Sequence, residues 1–129
     1  MKTNRKLALA VLVGIAIGAA GAVAIHAQQA KAAPAYVIGE VEVTDPVTFQ
    51  KYSEKVPGTM AAFNGRYLVR GGKTQALEGE APKRIVVIAF DSMEQAQAWD
   101  DSPAYDAIKP IRQSSAKSRL FIAEGVAPR

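Results

Sequence analysis

An uncharged apolar run near the N-terminus indicates which part of this chain forms the folded domain. The run spans residues 7–25, consists of Leu, Ala, Val, Ile and Gly, and follows a short segment with three basic residues. Such an arrangement, followed by a small-residue cleavage site, is typical of a secretory signal. Residues 30–32, Ala-Lys-Ala, match that cleavage rule. The sequence therefore predicts an export signal over residues 1–32 and one domain over residues 33–129.

The length of the apolar run leaves a second interpretation open. It is about 19 residues long, close to the ~20 that span a bilayer, so an uncleaved membrane anchor is the alternative. Ala and Gly fill about half of the run and weaken it as a permanent span, because they contribute little apolar area. We expect a periplasmic or secreted protein, attached to a membrane only if the segment stays uncleaved.

The charge balance argues against a nucleic-acid partner. The chain has 16 Lys and Arg residues and 12 Asp and Glu residues, and four of the basic residues lie in the predicted export segment. The rest of the chain is formally neutral, whereas a phosphate-binding surface needs a clustered excess of Lys and Arg. We therefore expect no nucleic-acid binding.

The absence of two residue types narrows the chemistry further. The one histidine, His26, belongs to the predicted export segment, and the chain has no cysteine. The predicted domain therefore lacks the side chains for Ser-His-Asp or Cys-His catalysis, histidine-ligated haem and the usual zinc sites. Its carboxylates do not have calcium-loop spacing, and its glycines do not form a phosphate loop. We expect no cofactor and no metal.

The first half of the predicted domain reads as strand, helix, strand. Residues 36–43 alternate between two unlike faces, which predicts a strand. Asp45 followed by Pro46 is a helix start, with a capping carboxylate and a proline at the first helical position. Pro57, followed by glycine, is expected to interrupt that helix. Residues 66–70 alternate again and predict a second strand.

The second half repeats this order. Residues 73–78 read as extended after a two-glycine bend, and the apolar run at residues 84–90 predicts a strand inside the sheet. Ser92 begins a helix with a capping-box pattern, and Ser102 before a proline restarts it. A last strand is predicted over residues 120–123.

The resulting order is βαββαβ. Two βαβ units with right-handed crossovers give a ferredoxin-like α+β fold, a four-stranded antiparallel sheet with two helices on one face. The other face carries apolar side chains that cannot stay in water over such an area. The sequence therefore predicts a homodimer through the open sheet face.

Several polar side chains fall near apolar surface: Tyr36, Tyr52, Arg70, Glu78, Trp99, Tyr105 and Arg112. Strand alternation puts Arg70 on the face of Leu68, where its guanidinium could clamp an anion in a dimer cavity. The competing interpretation pairs Arg70 with Glu40 or Glu78 across the sheet.

The other candidates also have two interpretations. Glu78 is the candidate general base, or else the ion-pair partner of a nearby arginine. Trp99 and Tyr105 flank the helix break at Ser102 and could line a pocket mouth, although aromatic residues at helical spacing also form cores. Tyr52 lies on the apolar stripe of the first helix and is expected in the core, with its hydroxyl reaching a partner at the edge.

Five blocks of this sequence match a known family in order and spacing. They are residues 35–38, 65–72, 77–79, 98–105 and 124–125. The chain resembles the domain-of-unknown-function family 1330, of the dimeric α/β-barrel superfamily, over nearly all of residues 35–126. The resemblance implies a dimeric barrel and a small cavity in each subunit between sheet and helices.

The resemblance does not supply a reaction, because the family has none assigned and its superfamily relatives include monooxygenases, lactone isomerases and haem-degrading enzymes. Three functions stay open. The first is binding of a small, partly apolar anion, with Arg70 as clamp and Tyr36, Trp99 and Tyr105 as walls. The second is a cofactor-free isomerase, lyase or oxygenase in which Glu78 or a tyrosine moves the proton. The third is a structural dimer module without a ligand.

Overall fold

Four strands and three α-helices make up the part of the chain that the structure describes. A computed structural model of the protein describes residues 32–129, so the predicted export segment lies outside the described residues except for its last residue. The elements are β1 (Ala35–Val43), α1 (Pro46–Met60), a 3-10 turn (Ala61–Phe63), β2 (Arg66–Arg70), β3 (Arg84–Phe90), α2 (Met93–Asp100), α3 (Pro103–Ser115) and β4 (Ala116–Glu124). None of these helices is long and apolar enough to cross a lipid bilayer.

The strands form one antiparallel sheet in the order β2-β3-β1-β4. This order confirms the predicted ferredoxin-like α+β fold. In β1, Ala35, Val37 and Val41 are buried beneath the helices. The register places Val37 beside Ile88 of β3 and Ile122 of β4. Three neighbouring strands therefore present one continuous apolar face to the helices, as period-two alternation requires.

Helix α1 begins where the sequence predicts and ends later. The Asp45 side chain accepts a hydrogen bond from the backbone N–H of Thr48 at 3.2 Å, and Pro46 is the first helical residue. The predicted interruption at Pro57 is wrong, because the helix continues to Met60. A proline this close to the end of a helix removes one hydrogen bond without stopping the last turn.

Two strand predictions also need correction. Residues 73–78 are not a strand: the chain between β2 and β3 has no helix or strand. Within it the Thr74 hydroxyl donates to the carbonyl of Pro82 at 2.8 Å, so the segment bonds to itself. Strand β4 begins earlier than predicted, because Lys117 and Arg119 already pair with Glu42 and Glu40 of the neighbouring strand β1. These charged residues hid the start of the strand in the sequence.

The core is built on three large aromatic side chains. Phe90, Trp99 and Tyr105 are all at most 1% exposed. The Trp99 ring lies 5.5 Å from the Phe90 ring and 4.0 Å from the Tyr105 ring, measured between centroids. The Trp99 indole donates to the Thr59 hydroxyl at 3.0 Å, which satisfies its buried N–H. The aromatic stack therefore joins β3, α1, α2 and α3.

Ser102 forms the corner between α2 and α3. Its hydroxyl donates to the carbonyl of Trp99 at 2.7 Å and accepts from the backbone N–H of Tyr105 at 3.3 Å. One buried side chain therefore closes the first helix and caps the second.

We expect Ser102→Ala to lower the free energy of unfolding by about 1–2 kcal/mol, because it removes a helix cap and the acceptor of the buried Tyr105 N–H. Ser114→Ala is the control: Ser114 is exposed and bonds within its own helix, so we expect a change below about 0.5 kcal/mol. Urea unfolding followed by circular dichroism measures both. Equal losses in the two variants would contradict the role assigned to Ser102.

Candidate functional site

A small cavity lies between the sheet and the helices. Its volume is about 40 Å³, roughly three times the space that one water molecule needs. All four strands and all three helices contribute to its wall. Most wall residues are apolar, among them Val37, Val41, Val56, Ile88 and Leu120. The cavity predicted from the family resemblance is therefore present in the structure.

Three arginines, Arg70, Arg84 and Arg112, line this cavity. They come from the end of β2, the start of β3 and the last turn of α3. The ion pairs formed within residues 32–129 involve other cations: Arg66, Lys83, Lys109 and Arg119. Among these described residues, no carboxylate lies within 4.0 Å of the three guanidinium groups.

An irregularity in β2 turns Arg70 towards the cavity. Tyr67 pairs with Ile88 and Arg70 with Val86, but the register shifts at Leu68 between them. Because of this bulge, Arg70 shares a face with Tyr67 rather than with Leu68, and its guanidinium lies 4.6 Å from the Tyr67 ring centroid. The predicted face of Arg70 is thus wrong, since a bulge adds one residue to the alternation.

Pro57 leaves the backbone carbonyl of Ser53 free to accept a hydrogen bond from Arg70. In a regular helix the carbonyl of Ser53 would accept from the N–H four residues later, but that residue is Pro57, which has none. The Arg70 guanidinium donates to this carbonyl at 2.8 Å. Arg70 thereby ties β2 to α1 at the exposed edge of the cavity. The alternative pairing of Arg70 with Glu40 or Glu78 is absent among the described residues. Glu40 pairs with Arg119 instead.

The other two arginines are half-buried, and each has an unsatisfied atom. The Nε atoms of Arg84 and Arg112 are buried without a hydrogen-bond partner in residues 32–129. The Arg112 Nη1 atom donates to the Ser118 hydroxyl at 2.7 Å, and its guanidinium lies 5.8 Å from the Tyr52 ring centroid. The Arg84 guanidinium lies 5.3 Å from the Phe49 ring centroid. Both sites combine a cation with aromatic and apolar surface.

A buried pair of phenols lies beside Arg112. The hydroxyls of Tyr52 and Tyr105 are 2.7 Å apart. Burial, together with the neighbouring Tyr105 hydroxyl, raises the pKa of Tyr52 well above its ordinary value of 10.0, although Arg112 acts in the opposite direction. Tyr52 is therefore neutral at physiological pH and suited to donate or accept a hydrogen bond, but not to act as an anionic base.

The structure separates the residues that the sequence grouped as one site. Arg70 and Trp99 line the cavity, and Tyr105 lies behind it, bonded to Tyr52. Tyr36 faces the opposite side of the sheet, in register with Ala89 and Ala123. Glu78 lies in the exposed segment between β2 and β3 and does not line the cavity.

Sequence reasoning missed Arg84 and Tyr67 as wall residues. Arg84 opens the apolar run of β3 and reads as an ordinary charged strand start. Its helix-facing position follows from pairing with Val41, which lies on the buried face of β1. The signal available in the sequence was parity: within the run, Arg84 shares a face with Val86 and Ile88.

No group of three or more His, Cys, Asp or Glu side chains that could hold a metal ion occurs in residues 32–129. The polar wall of the cavity consists of guanidinium, phenol and serine groups. These groups bind anions and hydrogen-bonding molecules rather than cations.

The family description "domain of unknown function (DUF1330)" matches residues 34–126. The chain belongs to the DUF1330 family. This membership confirms the resemblance found in the sequence blocks. No curated protein sequence matches the chain.

Solved structures with the same fold include a protein of unknown function and an enzyme, both of low sequence identity. A protein of unknown function from Rhodopseudomonas palustris is 16% identical with a TM-score of 0.62, over 81% of this chain and 93% of that chain. SnoaB, a cofactor-independent oxygenase from Streptomyces nogalater, is 14% identical with a TM-score of 0.52, over 76% of this chain and 96% of that chain. At such identities the likeness shows the fold alone.

The raised pKa of Tyr52 predicts a pH dependence of stability. Tyr52 favours its neutral form more strongly in the folded than in the unfolded protein, so its contribution is complete below about pH 10 and is lost as the pH rises further. Above about pH 10 we expect the free energy of unfolding of the wild type to fall more steeply than that of Tyr52→Phe, by up to about 1.4 kcal/mol per pH unit.

Urea unfolding at about four pH values between roughly 8 and 11 measures this slope. Tyr52→Phe also removes a hydrogen-bond partner of Tyr105, which lowers stability at every pH by about 1 kcal/mol. The slope and not the absolute value therefore carries the test. Parallel curves for the two proteins would contradict the assignment to Tyr52.

Proposed function

We propose that this protein is an exported homodimer that binds a small, partly apolar anion in the cavity between sheet and helices. One observation carries the proposal: Arg70, Arg84 and Arg112 line one small apolar cavity, and no carboxylate among residues 32–129 pairs with them. An anionic ligand would supply the missing partner.

The energetics of buried charge favour a ligand over an empty cavity. A guanidinium in a low-dielectric site is expensive unless it is paired and its N–H groups are bonded. Here the Nε atoms of Arg84 and Arg112 are buried and have no hydrogen-bond partner within residues 32–129. A carboxylate can accept two parallel hydrogen bonds from one guanidinium, and it can do so with little volume. Structural arginines of a fully packed core would instead be expected to have protein partners.

The size and walls of the cavity limit the ligand. About 40 Å³ of free volume suits a ligand of only a few heavy atoms unless side chains move. Val37, Val56 and Leu120 in the wall favour an apolar portion of the ligand. Tyr52 and Tyr67 add phenol groups that can donate to an anion. The structural-module alternative gains no support from this set of groups.

We expect Arg112→Ala and Arg70→Ala each to weaken binding of butyrate by about tenfold or more, because each loses a charge-assisted hydrogen bond. NMR titration of the 15N-labelled protein measures the dissociation constant. Arg66→Ala is the matched control, since Arg66 lies on β2, faces the other side of the sheet and pairs with Asp91. We expect it to bind within twofold of the wild type.

Two results would overturn the proposed function. The first is that the wild type binds none of a panel of small carboxylates, sulfonates and phosphonates. The second is that none of the three cavity arginines, when it is removed, changes binding more than removal of Arg66 does. Thermal unfolding of each variant separates lost binding from lost folding.

A second candidate is turnover of the bound molecule without a cofactor. SnoaB, which has the same fold, is a cofactor-independent oxygenase. The phenol pair of Tyr52 and Tyr105 beside Arg112 offers this chain a proton donor next to a cation that could stabilise a developing oxyanion. Glu78, the earlier candidate base, is less suited because it lies outside the cavity wall. Turnover that Tyr52→Phe abolishes while binding persists would favour this candidate.

The homodimer is supported by an apolar row on the open sheet face. Val69, Val87, Ile38 and Phe121 are neighbours in register across all four strands. Phe121 is 44% exposed. Such a row across a helix-free face is the kind of surface that a second copy of the chain would cover.

We expect the wild type to sediment as a dimer and Phe121→Asp to sediment as a monomer, because a charge in the row would be buried without a partner. Analytical ultracentrifugation measures the mass. Val47→Asp is the control: Val47 is 72% exposed on α1, away from the sheet face. A monomeric wild type, or a dimeric Phe121→Asp protein, would count against this interface.

A further inference from the structure

A second recess adjoins the arginine-lined cavity near the start of α1. Its volume is about 340 Å³, and its wall consists of Val43, Pro46, Phe49, Gln50, Ser53 and Arg84. Phe49, Ser53 and Arg84 belong to both walls. Arg84 therefore lies at the boundary between the cavity and the more open outer recess, which we call the neck.

The Arg84 guanidinium packs directly against Gly71, and we call this position its seat. A Cβ atom at position 71 would lie 2.5 Å from Arg84 Cζ, closer than any real contact. Gly71 also has a φ of 66°, a conformation that side chains disfavour. The neighbouring Gly72 differs on both counts, since its space is open and its φ is not positive. The first glycine of the pair thus has a steric requirement that the second lacks.

The seat holds Arg84 with part of its hydrogen-bonding capacity unused. The backbone N–H of Gly71 donates to the carbonyl of Ile85 at 2.8 Å, which fastens the glycine to β3 beside Arg84. Phe49 contacts the guanidinium at 5.3 Å from its ring centroid. The buried Nε has no partner among the described residues. Arg70 directly precedes Gly71 in the chain, and its guanidinium donates a hydrogen bond to the carbonyl of Ser53 at the same neck.

The neck separates two environments for a ligand. Inward of Arg84 the wall is mostly aliphatic, with Val41, Val86 and Leu120 among its residues. A ligand with its charge at Arg84 and an aliphatic tail directed inward satisfies both environments. The opposite orientation would place the charged group beside Arg112, but it would leave the aliphatic tail in the more open recess and lose the free energy of its burial.

We propose that Arg84, seated against Gly71, holds the carboxylate of the ligand at the neck, and that the ligand is a short-chain aliphatic monocarboxylate whose tail occupies the cavity. This inference rests on the proposed function, that the cavity binds an anion. Gly71 is a positioning residue in it, since it acts through Arg84 and does not touch the ligand.

The test is a binding series with acetate, butyrate and octanoate on the full-length wild-type protein, measured by NMR titration. Each buried methylene is expected to raise affinity about fourfold, so butyrate, with two more methylenes, should bind about sixteenfold more tightly than acetate. Octanoate should bind more weakly than butyrate, because its tail exceeds the cavity. Affinity independent of chain length would overturn the orientation with the tail inward.

Two variants test the anchor. We expect Gly71→Ala and Arg84→Gln each to weaken butyrate binding by about tenfold or more, and the matched control Gly72→Ala to stay within twofold. The double variant of Gly71→Ala with Arg84→Gln should bind no more weakly than Arg84→Gln alone, because the glycine acts through the arginine. Additive losses would overturn the positioning role of Gly71.

The Nε–Hε signal of Arg84 gives a second readout that needs no ligand. It should shift in Gly71→Ala and stay unchanged in Gly72→Ala. Different results would overturn anion binding by the cavity and the anchoring role of Arg84. A wild type that binds no carboxylate overturns the proposed function, whereas unchanged butyrate binding by Arg84→Gln, with binding lost in Arg112→Ala, overturns only the assignment of Arg84 as anchor.

Discussion

The rest of this structure depends on one constraint: arginine side chains are enclosed against the apolar surface between the sheet and the helices. The helices must cover one face of the sheet, because β1 and β3 present aliphatic side chains there. In covering it they also enclose Arg84 and Arg112, whose Nε atoms are buried and have no partner in the part of the chain that the structure describes. Elsewhere in residues 32–129, charged side chains such as Arg119 and Glu40 meet on the surface and satisfy each other. The contrast separates a structural charge pair from cations that have no carboxylate partner among these residues.

Local departures from regular structure create the site. A bulge at Leu68 turns Arg70 to the helix side of the sheet. Pro57 frees the carbonyl of Ser53, which the Arg70 guanidinium then occupies. Gly71 leaves space that Arg84 fills. A regular strand, an uninterrupted helical hydrogen-bond pattern and a residue with a side chain at position 71 would each remove one of these contacts. The cavity wall therefore depends on three local irregularities in an otherwise regular fold: the bulge, the missing helical hydrogen bond and the glycine.

Most of the architecture could be predicted from the sequence because local signals agree with the tertiary fold. Asp45 and Ser92 cap helices where the pattern placed them, and Ser102 restarts the chain as a separate helix. The errors occurred where local signals were incomplete. Pro57 read as a helix end but lies in a final turn that packing retains. The charged start of β4 concealed a strand, since its partners on β1 are distant in the sequence.

The candidate site was less predictable than the fold. The sequence by itself determined the element order, the apolar face of β1, and the lack of histidine and cysteine between residues 33 and 129. Those properties depend on residue type and short-range periodicity, which are local. Only the tertiary structure decided that Arg70, Arg84 and Arg112 meet at one cavity while Tyr36 and Glu78 stay away. Strand register, a bulge and long-range packing determine that meeting, and none of them is encoded in the spacing of neighbouring residues.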